Sequence, residues 1–274
     1  MSETQTHFSP PAIEMRGVTV ATMRDAAQIV VEEINWTVHA GEFWVVAGPQ
    51  RSGKSDLLML TGGLMSPARG TYRCFGEEMP IFEEERLPQR LRLGLVFDSG
   101  QLFTQMTIAE NVALPLRYHE NLSRTAAEPR VQALMEMMEL TAFAHRSPAT
   151  VARNWQKRAG LARALMLQPD LLLLDNPLSG LDARHTAWCL NFLEQLSAGH
   201  SFRGGRPMTL VVATDDLRPW MAGSRKFALI NRKTFSVIGA GEQLAASRDS
   251  LVLELLSGET GAPSSETAIA NRKS

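Results

Sequence analysis

Apolar positions fall in short runs over the first part of the chain. Residues 13–23 (IEMRGVTVATM), 28–38 (QIVVEEINWTV) and 42–48 (EFWVVAG) each read as strands, with Ala40-Gly41 as a turn between the last two. Residues 56–64 open a helix behind a glycine-rich loop, RGTYRCFG (69–76) is hairpin-like, and LRLGLVF (91–97) is a buried strand ending at Asp98. Over residues 99–168 the spacing turns helical, and Pro115, Pro129 and Pro148 are expected to break that stretch. After Asp170 the strand–helix alternation resumes. LLLLD (171–175) is a parallel strand, 183–197 a helix, MTLVVAT (208–214) and KFALI (226–230) strands, and TFSVIGAG (234–241) a hairpin return. The expected organisation is a loose N-terminus at 1–11, an α/β domain over 12–258 with a helical insert at about 99–168, and a tail at 259–274 of disordered composition.

Composition narrows the function more than the fold. With 28 basic and 29 acidic residues the net charge is -1, so no global field attracts nucleic acid. No apolar run approaches the ~18 residues of a membrane helix, so a membrane role must come through a partner. The N-terminus MSETQTHFSPP lacks the basic and apolar regions of a signal peptide. Cys74 and Cys189 lack metal-ligand spacing and read as core thiols in a reducing compartment.

The chemistry enters at Gly48-Pro49-Gln50-Arg51-Ser52-Gly53-Lys54-Ser55, which matches G-x-x-x-x-G-K-[ST] between a strand and a helix. Gly48 and Gly53 allow backbone angles that turn successive N–H groups inward onto phosphate oxygens, and the helix N-terminus adds its dipole. Lys54 supplies a point charge to the outer phosphates of ATP, and the Ser55 hydroxyl is a ligand for Mg²⁺. Asp175, closing the LLLLD strand, is a second Mg²⁺ ligand through water.

Beyond the phosphate loop the chain resembles the ABC-transporter ATPases from about Glu14 to Gly258. SGLD (179–182) is similar to that family's D-loop, RAGLARALMLQPDLLLLD (158–175) to the helix and strand after its signature, and VVATDD (211–216) to its switch-histidine strand. A narrower resemblance is to the ATPase subunits of Mla-type transporters, which serve MCE-protein systems moving phospholipid across the envelope of double-membraned bacteria. It rests on FDSGQLFTQMTIAENVALPL (97–116) and on the stretch from Asn231 to Gly258. The resemblance implies a P-loop NTPase core of ABC ATPase type, with an antiparallel β subdomain and an inserted α-helical subdomain. It implies a peripheral position on the cytoplasmic face of the inner membrane. It also implies three partners: an integral-membrane permease, an MCE-type substrate-binding protein and a second ATPase chain in a homo- or heterodimer. Leu102, Phe103, Met106 and Ile108 are candidates for the permease contact or for insert core.

Five positions depart from the family pattern. Asn176 replaces the catalytic glutamate, and an amide cannot accept a proton. Asp215 replaces the switch histidine, and a carboxylate repels the γ-phosphate. Asp98 replaces the Q-loop glutamine and can still ligate Mg²⁺. The signature that reaches across to a partner's nucleotide reads Val151-Ala152-Arg153-Asn154-Trp155, without a hydroxyl at Ala152 and without glycines at Arg153 and Asn154. Asp56 places a carboxylate beside the α-phosphate, and Thr22 and Met23 stand where an aromatic would stack on adenine. Three readings follow: a subunit that binds nucleotide weakly or does not turn it over, a slow ATPase using Arg153, Asn176 and Asp98, or a soluble P-loop kinase, against which SGLD and the helical insert argue. A solvated Arg153 and an Arg153 acting in trans as an arginine finger are both open at this point.

Overall fold

The structure, a computed structural model, describes residues 9–257. The expectations for residues 1–8 and for the tail at 259–274 lie outside the described residues. Ten strands form one sheet: β1 (Ile13–Ala21), β2 (Ile29–Val38), β3 (Phe43–Ala47), β4 (Arg69–Cys74), β5 (Glu77–Glu78), β6 (Leu93–Val96), β7 (Leu171–Asp175), β8 (Thr209–Thr214), β9 (Lys226–Asn231) and β10 (Thr234–Ala240). Their order is β5-β4-β1-β2-β10-β9-β3-β8-β7-β6. The helices are α1 (Lys54–Thr61), α2 (Leu87–Arg90), α3 (Ile108–His119), α4 (Arg124–Met137), α5 (Arg153–Leu165), α6 (Ala183–Ala198), α7 (Gly241–Ala245) and α8 (Ser250–Ser257).

The strands β9, β3, β8, β7 and β6 are parallel neighbours, and β3, β7 and β8 are apolar on both faces. Both faces are therefore covered, as a parallel sheet requires. Val45, Leu172, Leu174, Leu210 and Val212 enter the core shared with the helices of the 99–168 segment. Trp44, Val46, Leu171, Leu173 and Val211 alternate into a second core beneath α1 and the antiparallel strands β1, β2 and β4. Cys74 and Cys189 are free and buried, and burial pushes both thiols up to about 12.

Two expected breaks are absent. Pro115 lies inside α3 and Pro129 inside α4. Each proline removes one helical hydrogen bond, but Ile108, Val112 and Leu116 of α3 stay fully buried and hold that helix by packing. The chain breaks instead at Asn121 and Glu139, both with positive φ, and Pro148 opens a short 3₁₀ turn. The first helix begins at Lys54 rather than Asp56.

The start of α3 is set by a capping box. Thr107 Oγ1 accepts from Glu110 N–H (3.2 Å), and Glu110 Oε2 accepts from Thr107 N–H (2.9 Å). One turn in, the fully buried Asn111 organises the preceding loop. Its Oδ1 accepts from Phe103 N–H (2.7 Å), and its amide donates to Phe103 O and Thr107 O. Ile108, a candidate for a partner surface, is core, whereas Phe103 is half exposed. Asn111→Ala leaves those groups without partners and is expected to destabilise the protein by about 2 kcal/mol. A urea midpoint unchanged by the substitution would contradict this role.

A nucleotide site at the strand ends

The parallel strands deliver four loops to one edge of the sheet. β3 runs into the phosphate loop, β7 into Asp175 and Asn176, β8 into Asp215, and β6 through Phe97 into Asp98. Backbone bonds across the strand ends lock these loops together. Gly48 N–H donates to Thr214 O (3.2 Å), and Asn176 N–H donates to Ala213 O (2.9 Å). The predicted residues of the phosphate loop, Asp175, Asn176 and Asp215 thus come to one place.

The loop itself fits a phosphate chain. Gly53 adopts φ 96° as the N-cap of α1, and a Cβ on Gly48 would collide with Ile230 O. Ser52 Oγ is buried with no hydrogen-bond partner, a donor an anion would satisfy. Lys54 Nζ donates to Gly48 O and Pro49 O, each at 2.7 Å, which holds the ammonium at the mouth of the loop. Burial lowers the Lys54 pKa, while Asp215 and Asp175 favour its charge. Burial raises the Asp175 pKa, opposed by a hydrogen bond from Ser55. The Ser55–Asp175 pair supplies a hydroxyl and a carboxylate of the kind that hold Mg²⁺ beside the outer phosphates. Arg51 and Gln50 are exposed at the loop's rim.

The remaining predicted residues have partners within their own chain. Asp56 Oδ1 accepts from Met23 N–H (3.1 Å), tying the turn after β1 to α1. Asp98 Oδ2 accepts from Arg153 Nη2 (3.1 Å) and Oδ1 from Lys157 Nζ (2.8 Å), and Lys157 also donates to Asn176 O (3.1 Å). Arg153 is 57% exposed and pairs with Asp98 of its own chain. Arg163 donates to Gly100 O and Gln101 O, both at 2.9 Å, and Gly100 and Gly160 approach so closely that a Cβ on either would strike the other's segment. The loop after Asp98 is clamped along the whole of α5.

Residues 151–155, the expected signature segment, start this same helix. Ala152 is the N-cap of α5 and provides no side-chain cap. Asn154 turns inward, its amide 2.8 Å from His185 Nε2, and His185 Nδ1 lies 2.9 Å from Asp182, the N-cap of α6. With a ring proton on Nδ1, His185 donates to Asp182 and its Nε2 accepts from the Asn154 amide. Lys157, Arg163 and His185 were not singled out from the sequence. The i, i+4 spacing of Arg153 and Lys157, which places both on one helix face, was the available signal.

Fold and site together define an ATP-binding cassette. The family model for the ABC transporter matches residues 31–179, and the chain belongs to that family as an ATP-binding subunit. It is similar to the intermembrane phospholipid transport system ATP-binding protein MlaF of Haemophilus influenzae, at 28% identity over 88% of this chain and 90% of the relative. The MlaF of Escherichia coli K12 is 29% identical, over 92% of this chain and 93% of the relative. The probable ribonucleotide transport ATP-binding protein mkl of Mycobacterium tuberculosis is 28% identical, over 92% and 68%. Among solved structures, the dimeric post-hydrolysis state of the cassette MJ0796 bound to ADP and Pi superposes with TM-score 0.70. It is 27% identical, and the match covers 81% of this chain and 95% of that one.

Asp98 balances two cations, one of them the buried Lys157. Asp98→Ala is expected to destabilise the protein by about 3 kcal/mol, because a buried ammonium loses its counter-ion. Lys157→Met in the same chain should recover most of that loss, as read from chemical unfolding in a double-mutant cycle. Strictly additive losses would show that the two side chains do not interact.

Proposed function

We propose that the chain is the ATP-binding subunit of an envelope phospholipid transporter of the MCE/Mla type, and that it holds Mg²⁺-nucleotide with little or no hydrolysis. The observation that carries this reading is the contrast within one strand edge. Lys54, Ser55 and Asp175 form the phosphate and metal side, while Asn176 and Asp215 stand where a proton acceptor and a γ-phosphate contact are needed. The Asn176 amide can hold a water by hydrogen bonds but cannot take its proton. The Asp215 carboxylate opposes charge on the terminal phosphate.

The alternative catalytic set of Arg153, Asn176 and Asp98 gains no support from the geometry. Arg153 and Asp98 pair with each other in cis, and Asp98 is further occupied by Lys157. The phospholipid assignment draws on the MlaF relatives and on the 97–116 segment. The dimeric MJ0796 cassette supports pairing with a second ATPase chain, where the altered signature Ala152-Arg153-Asn154 would face the partner's nucleotide. Among the described residues no helix is long and apolar enough to cross a membrane, so the proposed place on the cytoplasmic face of the inner membrane depends on a permease. The half-exposed Phe103 and a groove of roughly 280 Å³ lined by Ala109, Ala113, Arg117, Val131 and Met135 are the proposed surfaces for that permease. The MCE-type protein would join through the permease.

Restoring the missing groups tests the reading. Asn176→Glu combined with Asp215→His should raise steady-state ATP turnover by about 10²-fold or more, the usual worth of a general base. Turnover left unchanged, with nucleotide binding intact, would refute the assignment of the block to these two residues.

A further inference from the structure

A phosphate-holding role does not account for the Asp215 carboxylate. It sits at the mouth of the loop, one residue past the Thr214 carbonyl that accepts from Gly48 N–H. Gln50 Nε2 donates to Asp215 Oδ2 at 3.4 Å. Its electrostatic reach extends to the Lys54 ammonium, whose charge it supports against burial. The other carboxylates of the edge are otherwise engaged. Asp98 is paired with Arg153 and Lys157, Asp56 accepts from Met23 N–H, and Asp175 from Ser55. Asp215 has no ion-pair partner among the described residues, and its side chain meets the phosphate loop through Gln50.

A nucleotide threaded along the loop meets this charge unequally. A diphosphate ends within the backbone N–H cradle, where Ser52 Oγ and the start of α1 await an anion. A triphosphate extends one phosphoryl group further, toward Lys54 and Asp215, and adds a negative charge there. We propose that Asp215 stands in for a terminal phosphate, so that the phosphate loop takes nucleoside diphosphates in preference to triphosphates. This rests on the reading of the loop as a nucleotide site. The diphosphate state is then the resting state of this subunit, and Asp215 is its specificity-determining residue.

Calorimetric titration of the full chain with Mg²⁺-ADP and Mg²⁺-ATP tests the inference in wild type, Asp215→Asn and Asp215→Ser. Wild type should bind ADP about tenfold or more tightly than ATP, a ratio equivalent to roughly 1.4 kcal/mol. Both variants should lose that gap chiefly by gaining affinity for ATP, and the serine variant serves if the asparagine variant fails to fold. Equal affinities in wild type, or an ADP-to-ATP ratio that neither substitution changes, would overturn the inference while leaving the site a nucleotide site. Neither nucleotide binding to wild type or variant, and Lys54→Ala altering nothing, would overturn the nucleotide reading itself.

Discussion

The parallel register of β3, β8 and β7 is the constraint on which the site depends. Val45 pairs with Val212, and Leu173 with Val211, so the three strands end level. The Gly48–Thr214 and Asn176–Ala213 backbone bonds then fix the phosphate loop, Asp215 and the Asp175-Asn176 pair as one rigid edge. A slip of one residue along β8 would exchange its two buried faces and move Asp215 away from Lys54. The side chains of that edge are therefore held by core packing on both faces of the sheet.

A second feature follows from where α5 lies. Its N-terminus carries Ala152, Arg153 and Asn154, and its length carries Lys157, Gly160 and Arg163, which meet Asp98 and the loop after it. The loop therefore joins the strand edge to the helical segment through charge pairs and direct backbone contact. Asn154, His185 and Asp182 extend the same connection to the start of α6. Asp98 gives these cations a fixed counter-charge, so movement of the loop away from α5 must break ion pairs, one of them to a buried ammonium.

Much of this was legible in the sequence, and the remainder has a physical reason. The phosphate loop was readable because its spacing reflects backbone geometry around an anion. The strands β3, β7 and β8 were readable because burial on both faces leaves unbroken apolar runs. Pro115 and Pro129 misled, because the packing of α3 and α4 outweighs the single helical bond each proline removes. The Asp98–Arg153, Asp56–Met23 and Asn154–His185 contacts join residues 31 to 55 positions apart, a distance that no local pattern spans. Arg153 shows the consequence: its charge was visible, but its partner in the same chain was not.

On the proposed function, this edge holds a nucleotide without cleaving it. A single-turnover experiment measures this most directly, with γ-labelled ATP and Mg²⁺ mixed with excess protein and the bound nucleotide analysed over time. Intact ATP is expected on the protein long after a rate of about 1 s⁻¹, the low end of typical turnover, would have consumed it. Release of labelled phosphate at that rate, abolished by Lys54→Ala, would contradict it.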